Sequence, residues 1–334
     1  MQIHSLISAT PFAAYACAVT VSTLAVGQIY RWTWIRSRSD SVTPTGFGAF
    51  LAPVVLGAVL VSQASTALVN SLAVVTLVTA IYWFDDIAHL SARTRIFLSF
   101  MSGIGIGLAY LDNGAAVYPL LIAEVLAAGL MCIVLTNMVN FCDGADLNLA
   151  SYIALTYATI LWFGPSNGDW PTVAVTALSF ILPFALMNFR PRTIYLGDSG
   201  SFAFAGMLTA MAVSFVQNLS NIAPEAAIPT ALPTLDVAYV LTVRIIAGHD
   251  MLTRNYLHLY QRLNGRYSGF GYLLPQFANL ALCLSAAHML HAWGVGRILS
   301  VALAMIFATP IFYYLCRKIW LAGPPEGALF ETSR

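Results

Sequence analysis

Two adjacent carboxylates, Asp85 and Asp86, end one of the long apolar runs of this sequence. Carboxylates in such a position can bind a metal ion or take up a proton. Neighbouring residues on a helix point about 100° apart, so the two side chains cannot be equivalent ligands. We therefore expect one of them to face a reaction centre while the other holds a basic neighbour or a second metal position. The simpler alternative is that the pair caps the next helix.

A second polar segment, 137–146, follows a later apolar run. Steps of three residues place Asn137, Asn140 and Asp143 near one helical face, and the glycine after Asp143 lets the backbone turn towards Asp146. Four polar groups at this spacing are poorly suited to face lipid. They predict a site for a nucleotide or a divalent ion, and the alternative is a polar seam between helices.

The third polar segment runs from Asn188 to Ser201 and carries Asp198 between glycine and serine residues. Small neighbours let a ligand approach the backbone. The helix expected to begin here offers free N–H groups and a partial positive charge. Arg190 and Arg192 add positive charge that suits a phosphate group. The combination predicts an anion site beside a carboxylate that can bind a metal ion.

A fourth segment, 244–268, is rich in arginine and histidine. Arg254, His258 and Arg262 are spaced four residues apart, so a helix here would align them in one basic ridge. Such a ridge could clamp the phosphates of a ligand. The alternative is that these residues contact anionic lipid headgroups.

The elements that must position these segments are membrane-spanning helices. The chain has 334 residues, of which 59% are hydrophobic and 9% charged, whereas about a quarter of the residues of soluble proteins are charged. The net charge of +1 gives no indication of nucleic-acid binding. About 20 apolar residues cross a bilayer as a helix, and the backbone of each crossing must be helical. We therefore predict an all-α fold in which residues 1–334 form a single membrane-embedded domain. Eleven apolar runs are expected to span the membrane: approximately 5–30, 46–62, 66–84, 96–111, 115–137, 147–163, 171–189, 201–217, 228–247, 270–291 and 296–316.

The positive charges predict the orientation of these spans. With the N-terminus outside and the C-terminus cytoplasmic, all Lys and Arg residues except Arg297 fall on the cytoplasmic side, as the positive-inside rule requires. The polar segments then share that side and are expected to form one active site. The cytoplasmic loops that contribute to it are about 31–45, 85–95, 138–146, 190–200 and 244–269.

These segments resemble those of the polyprenyl-phosphate N-acetylhexosamine-1-phosphate transferase family, of glycosyltransferase family 4 type. That family includes the enzymes that initiate O-antigen and enterobacterial common antigen, and the phospho-MurNAc-pentapeptide translocase. The second segment is similar to the family pattern N-x-x-N-F-x-D-G-x-D, and the third to F-x-G-D-x-G-S. The similar pieces keep the family's order along the chain: 43–48, 85–86, 137–146, 195–201 and 258–263.

The resemblance implies that a UDP-sugar and a polyprenyl phosphate lipid, undecaprenyl phosphate in bacteria, give polyprenyl-diphosphate-sugar and UMP. Mg²⁺ or Mn²⁺ would be the cofactor, because hard oxygen ligands suit these ions. The implied location is the bacterial inner membrane, with the active site on its cytoplasmic face and a role in lipopolysaccharide biosynthesis. The oligomeric state stays open, with a homodimer as one alternative.

The resemblance also implies roles for individual residues. Catalytic roles fall to Asp85, Asp86, Asp198 and His258. Asp198 and Asp86 would hold the metal, and Asp85 would orient or deprotonate the lipid phosphate. A covalent route with Asp198 as nucleophile is the alternative to direct attack, which we favour because a phosphate monoester is already a good nucleophile. Substrate binding is expected from a larger polar set: Asn137, Asn140, Asp143, Asp146, Asn188, Arg190, Arg192, Arg254 and Arg262.

The sequence departs from the family pattern in its last loop, where His258 stands without further histidines in the motif. This reduced motif is similar to that of O-antigen initiators that use 6-deoxy-N-acetylhexosamines. The residues after Asp146 differ as well, and the first loop has Arg36 or Arg38 in place of the family's Lys. A secondary transporter of an anionic solute is the alternative function. It is disfavoured because the only intramembrane acids expected, Glu124 and Asp236, have no obvious basic partners, whereas the other carboxylates gather at one face.

Overall fold

The computed structural model describes residues 10–37, 43–88, 90–111, 118–165, 168–189, 193–219, 222–249, 257–267 and 271–321. Within these ranges all regular structure is helical and no strand occurs, which confirms the all-α prediction. Arg38, Arg190, Arg192 and Arg254 lie outside the described residues.

The described residues contain eleven α-helices that each overlap one of the eleven predicted apolar runs. A twelfth, short helix lies in the last polar segment. In chain order the helices are α1 (Thr10–Ser37), α2 (Leu51–Val61), α3 (Thr66–Ala88), α4 (Ala92–Ala109), α5 (Tyr118–Cys142), α6 (Asn148–Phe163), α7 (Trp170–Asn188), α8 (Gly197–Gln217), α9 (Ile228–Ile246), α10 (Leu259–Arg266), α11 (Leu274–Ala292) and α12 (Arg297–Leu315).

Eight helical segments in the described part of the chain are long and apolar enough to cross a membrane, so the protein is a polytopic membrane protein. α2, with the 3₁₀ turn before it, and α6 form shorter apolar segments. α4 begins with two arginines, which lower its hydropathy. Eleven crossings and their orientation therefore stay predictions.

The chain divides into two compact units, Met1–Ala223 and Pro224–Arg334. In the first unit α8 is the central helix, since it packs against α3, α4 and α5. Its sequence explains this position: α8 is rich in glycine, alanine and serine, and small residues let helices in a membrane approach closely. The N-terminus of α8 carries Asp198, so the most enclosed helix of this unit also holds a predicted catalytic residue.

The first loop and the segment that leads into the first turn of α8 are joined by main-chain hydrogen bonds, and together we call them the paired loops (43–50 and 193–200). Tyr195 N–H donates to the Pro44 carbonyl at 2.7 Å, and Gly48 N–H donates to the Leu196 carbonyl at 2.9 Å. A Cβ atom on Gly48 would lie 2.1 Å from the Cα of Gly200. Only glycine therefore permits the two backbones to approach this closely.

We predict that Gly48→Ala destabilises the protein by about 2 kcal/mol or more, because backbone atoms cannot rotate away from the added methyl group. Thermal unfolding of the purified protein in detergent should show a lower midpoint, with reduced activity at low temperature as well. Gly57→Ala in α2 is the matched control, since its Cβ would meet only the Tyr15 hydroxyl, at 3.9 Å. An equal midpoint for Gly48→Ala and the control would contradict the assigned packing.

The second unit contains α9, α11 and α12, which pack around a small core that includes Ile228, Cys283 and Ala304. At one end of this unit Arg297 makes a bidentate ion pair with Glu225, with Nε–Oε1 2.8 Å and Nη2–Oε2 2.9 Å. Arg297 is the single cation that the orientation prediction places outside, and its charge is compensated there by a carboxylate.

Candidate active site

Asp86 accepts hydrogen bonds at the N-terminus of α8. Its Oδ1 accepts the main-chain N–H of Asp198 at 2.7 Å, and its Oδ2 accepts the N–H and the hydroxyl of Ser199 at 3.2 and 2.7 Å. A carboxylate is stabilised there by the free N–H groups and the helix dipole. Gly197 has φ +77°, and a Cβ on it would lie 2.4 Å from Asp86 Oδ1. The contact between α3 and α8 therefore requires glycine at this position.

Asp85 points away from Asp86, as the helical spacing predicts. Its buried side chain accepts the main-chain N–H of Leu90, and its Oδ2 lies 3.6 Å from Nε of Arg95. Asp85 thus holds the turn between α3 and α4 together with a basic neighbour. Asp86 caps a helix, but that helix is α8 rather than the next one along the chain.

Arg95 bridges two of the predicted catalytic carboxylates. Its Nη1 donates to Asp198 Oδ2 at 3.0 Å, while its Nε faces Asp85. The side chains of Arg95 and Asp198 are 35% and 33% exposed, so this edge of the cluster is open. The carbonyl of Arg95 accepts the Tyr82 hydroxyl at 2.9 Å, which fixes the start of α4. The sequence predicted that one carboxylate of the Asp85–Asp86 pair holds a basic neighbour or a second metal position, and in the structure Arg95 is the basic neighbour of Asp85.

Asp143 belongs to the same carboxylate cluster. Burial, reinforced by the negative charges of Asp198 and Asp86, raises the pKa of the Asp143 carboxyl well above its ordinary value. The Ser201 hydroxyl, 3.5 Å from Asp143 Oδ2, opposes this rise. Asp86, Asp143 and Asp198 therefore form one electrostatically coupled group, and Arg95 links Asp85 to this group through Asp198.

Asn188 connects the second and third polar segments through the backbone. Its Oδ1 accepts the N–H of Leu147 at 2.7 Å, and its Nδ2 donates to the Ile194 carbonyl at 2.9 Å. Leu147 has φ +60°, a conformation uncommon for leucine, and this bond helps to hold it. The buried Asn188 amide is thus engaged at both ends and positions two loops. Direct contact with substrate stays a prediction.

The other residues of the second segment have different environments. Asn137 is exposed, and its Nδ2 donates to the Ile133 carbonyl of its own helix at 2.8 Å. Asn140 and Asp146 are partly buried, and the Asn140 carbonyl accepts the N–H of Asp143 at 3.1 Å. Of the predicted polar face, Asp143 is therefore the member that the structure joins to the carboxylate cluster.

The second unit holds His258 and Arg262. α10 begins at Leu259, and His258 has extended backbone at φ −62°, ψ 145°. The expectation of one helical ridge through His258 is therefore not met, because His258 is buried and contacts Asp236 instead. Arg262 is half-buried, and burial together with the charge of Arg317 lowers the pKa of its guanidinium.

The prediction that Asp236 has no basic partner is wrong. Arg317 Nη2 lies 3.4 Å from Asp236 Oδ1. The two residues are far apart in sequence, so no local pattern indicated the pair. Glu124, the other expected intramembrane acid, is near Gln217, whose Nε2 lies 3.3 Å from Glu124 Oε2.

The carboxylate cluster in the first unit fits a divalent cation that needs only one or two protein ligands, as Mg²⁺ does. The part of the chain that the structure describes has no group of three or more His, Cys, Asp or Glu side chains that could hold a metal ion by themselves. Mg²⁺ commonly binds one or two carboxylates and completes its shell with substrate phosphates and water. Asp198 suits this mode because it is partly exposed among other carboxylates. Asp86 already accepts three hydrogen bonds, so it has little remaining capacity, since a carboxylate has about four acceptor sites.

Apolar helices with a group of carboxylates at their ends define a polytopic all-α membrane protein with a candidate ion and phosphate site. Residues 68–216, which contain that site, match the family model described as glycosyl transferase family 4. This match confirms the resemblance to the family that was inferred from the motifs.

Curated relatives share the same region. A phospho-N-acetylmuramoyl-pentapeptide-transferase of Streptococcus sanguinis is 25% identical over 198 residues, which make up 52% of this chain and 61% of that protein. A putative glycosyltransferase of Methanocaldococcus jannaschii is 28% identical over 150 residues, 44% of this chain and 49% of that protein. A phospho-N-acetylmuramoyl-pentapeptide-transferase of Moorella thermoacetica is 28% identical over 151 residues, 44% of this chain and 45% of that protein. The chain therefore spans less than two thirds of the length of these relatives.

Proposed function

We propose that this protein transfers a sugar-1-phosphate from a UDP-sugar to a polyprenyl phosphate, giving polyprenyl-diphosphate-sugar and UMP. The observation that carries the proposal is the coupled group of Asp86, Asp143 and Asp198 at the N-terminus of α8, with Asp85 linked to it by Arg95, inside the region that matches the family. The donor is an N-acetylhexosamine or a 6-deoxy-N-acetylhexosamine, and the acceptor is undecaprenyl phosphate. The reaction takes place at the cytoplasmic face of the bacterial inner membrane, as the first step of O-antigen synthesis.

The residues act by positioning and charge, which is what phosphoryl transfer requires. An oxygen of the lipid phosphate attacks the phosphorus that bears the sugar. The bond from that phosphorus to the bridging oxygen breaks, and UMP leaves with the electron pair. Asp198, with support from Asp86, would hold Mg²⁺ or Mn²⁺, which supplies charge neutralisation on the pyrophosphate. Asp85 orients the lipid phosphate, and Arg95 keeps Asp85 and Asp198 in place.

The proposal is tested by an assay with membranes that contain the protein, UDP-sugars radiolabelled in the sugar, polyprenyl phosphate and added Mg²⁺. We expect label in the lipid fraction from one UDP-N-acetylhexosamine and release of unlabelled UMP. Membranes with the Asp198→Asn variant are the control. No incorporation from any of these donors, together with solute uptake into sealed vesicles, would favour the transporter instead.

The raised pKa of Asp143 predicts that Mg²⁺ binding weakens as the pH falls. Below its pKa Asp143 is neutral, so the cluster loses one negative charge and a cation is held less well. Because that pKa is raised, the loss begins above the ordinary range of an aspartate, about 3.9. We expect the affinity for Mg²⁺ to decrease about tenfold, which is equivalent to a coupling of one pKa unit between cation binding and the protonation of Asp143. Isothermal titration calorimetry of the detergent-solubilised protein without substrate measures it.

Two variants control this measurement. Asp143→Asn should show weak binding at all pH values, with a flat profile. Ser201→Ala removes the hydrogen bond that lowers the pKa of Asp143, so the transition should move to higher pH. A wild-type affinity that does not change with pH would exclude the assigned coupling between Asp143 and the cation site.

A further inference from the structure

Arg262, in the short helix α10, has a guanidinium that the second unit leaves partly unsatisfied. Its Nε atom is buried and has no hydrogen-bond partner among the described residues. The side chain as a whole is half-buried. Burying a donor without an acceptor costs free energy, and the cost is larger when the group is charged. The Arg262 guanidinium is therefore suited to bind an acceptor from outside the described side chains.

The charged side chains that act most strongly on Arg262 are themselves cations. Burial lowers the pKa of the Arg262 guanidinium, and the positive charges of Arg317 and Arg266 lower it further. Asp236, whose Oδ1 lies 3.4 Å from Arg317 Nη2, compensates one of these charges. These four side chains together carry three positive charges and one negative charge. The surroundings of Arg262 therefore favour an anion.

Arg317 is already held by groups of its own unit. Its Nη2 donates to the Leu257 carbonyl at 3.0 Å and to the Tyr313 hydroxyl at 2.7 Å. Its guanidinium carbon lies 4.7 and 5.2 Å from the ring centroids of Tyr239 and Tyr313, within the range of cation–π contacts. Arg317 therefore contributes positive charge, and the hydrogen bonds to an anion are left to Arg262.

α10 lies at the membrane end of the second unit. Along the chain it lies between the helical segments Pro224–Ile246 and Gly271–Ala292, both long and apolar enough to cross a bilayer. Tyr239 and Tyr313, on α9 and α12, also act electrostatically on Arg262, and Tyr239 is 45% exposed. Tyrosine is enriched where a bilayer meets water. The Arg262 guanidinium is therefore placed near the depth of the lipid headgroups.

We propose that Arg262 binds the phosphate of an anionic phospholipid headgroup at the membrane surface, with Arg266 and Arg317 supplying the surrounding positive charge. A guanidinium can donate two parallel N–H bonds to a phosphate, which an ammonium group cannot. A headgroup with net negative charge, such as that of phosphatidylglycerol, also compensates the excess positive charge. Such a site corresponds to the lipid alternative for this polar segment rather than to the phosphate clamp. It is independent of the proposed transfer reaction, so its test uses no substrate.

Lipid binding is measured by native mass spectrometry of the full chain in a neutral detergent, titrated with phosphatidylglycerol or phosphatidylcholine. We expect the wild type to bind one phosphatidylglycerol about tenfold more tightly than phosphatidylcholine, as attraction to several cations implies. Arg262→Met keeps the apolar stem and removes the donors, so its affinity for phosphatidylglycerol should fall about 30-fold, the scale of a lost hydrogen bond to a charged group. Arg262→Lys keeps the charge without the paired donors and should show an intermediate affinity. Equal affinity of the wild type for both lipids would overturn the proposal.

Lys318→Met is the matched control. Lys318 is an exposed cation just after α12, with Nζ 5.7 Å from the centroid of the Tyr314 ring. We expect its loss to weaken phosphatidylglycerol binding by about fivefold or less, the general attraction of one cation to anionic lipid. Equal losses in Lys318→Met and Arg262→Met would show that the lipid responds to overall charge and that Arg262 forms no specific site.

Thermal unfolding distinguishes a lipid site from an internal contact of Arg262. In detergent without anionic lipid, Arg262→Met should unfold at the temperature of the wild type or above it, because it removes an uncompensated cation. Added phosphatidylglycerol should raise the midpoint of the wild type, which binds the lipid, and leave that of Arg262→Met unchanged. A variant that is destabilised without lipid would show that Arg262 has a partner within the chain and would overturn the proposal.

Inorganic phosphate distinguishes a lipid site from a site for a soluble phosphate. We expect inorganic phosphate to leave the bound phosphatidylglycerol in place, because the acyl chains add apolar contacts to those of the headgroup. Displacement of the lipid by inorganic phosphate at a similar concentration would assign the site to a soluble anion and would overturn the lipid assignment.

Discussion

Asp198→Asn is expected to reduce turnover by at least about 1,000-fold while the protein stays folded and inserted. The substitution removes the negative charge that would hold the cation, and metal-ion catalysis supplies several kcal/mol, with each 1.36 kcal/mol worth about tenfold in rate. The fold should survive because Asp86 still accepts the main-chain N–H of residue 198, and Arg95 keeps its contact with Asp85. Initial rates measured across a Mg²⁺ titration give the result.

Asp169→Asn is the matched control for this substitution. Asp169 is also an acidic residue at the start of a helix of the first unit, but it accepts the N–H and hydroxyl of Ser65 instead of contacting the cluster. We expect this variant to keep its activity within a few-fold. Near-normal turnover of Asp198→Asn with an unchanged Mg²⁺ dependence would remove Asp198 from the metal assignment.

Asp85→Asn and Asp86→Asn are expected to differ in kind, since their carboxylates have different partners. Asp86→Asn weakens three hydrogen bonds at the start of α8 and so displaces Asp198. We expect a loss of stability of about 1–3 kcal/mol and a higher Mg²⁺ requirement. Asp85→Asn should mainly lower kcat, by about 100-fold, at an unchanged Mg²⁺ requirement.

Thermal midpoints and full Mg²⁺ and substrate titrations of both variants distinguish these outcomes. Arg95→Gln should lower kcat in part, as Asp85→Asn does, and raise the Mg²⁺ requirement in part, as Asp86→Asn does. The reason is that Arg95 contacts both Asp85 and Asp198. Equal changes of kcat and of Mg²⁺ requirement in the Asp85 and Asp86 variants would show that the division of roles is wrong.

The helices could be predicted closely from the sequence because lipid imposes one requirement on every crossing segment. Each must be apolar for about 20 residues and must satisfy its backbone internally. Helix ends were less predictable, since α1 continues to Ser37, beyond the apolar run that was expected to end near residue 30. The sequence analysis considered a helix in the last polar segment only as the condition for a basic ridge. The start of α10 at Leu259 depends on contacts between residues far apart in sequence, which leave no periodic pattern.

Features of the site that depend on residues close together in sequence could be predicted. Features formed by residues far apart in sequence could not. Helical geometry alone indicated that Asp85 and Asp86 diverge. The bridge from Arg95 to Asp198 spans 103 residues, and the pair of Asp236 with Arg317 spans 81. Neither leaves a periodic signal in the sequence. Asn188 was selected as a polar residue near the site, but its two hydrogen bonds to the backbone are visible only in the fold.

The paired loops limit how this protein can be engineered. Their contact consists mostly of main-chain hydrogen bonds and glycine backbones, to which the Ser199 hydroxyl adds one bond to the Gly46 carbonyl at 3.3 Å, so few of its partners could be exchanged by substitution. The length and the path of each loop are therefore matched to those of the other. A chimera that takes only one of the two loops from a relative would combine halves of different shape, whereas moving both together preserves the match. For recombination, residues 43–50 and 193–200 form one module, although about 140 residues of chain separate them.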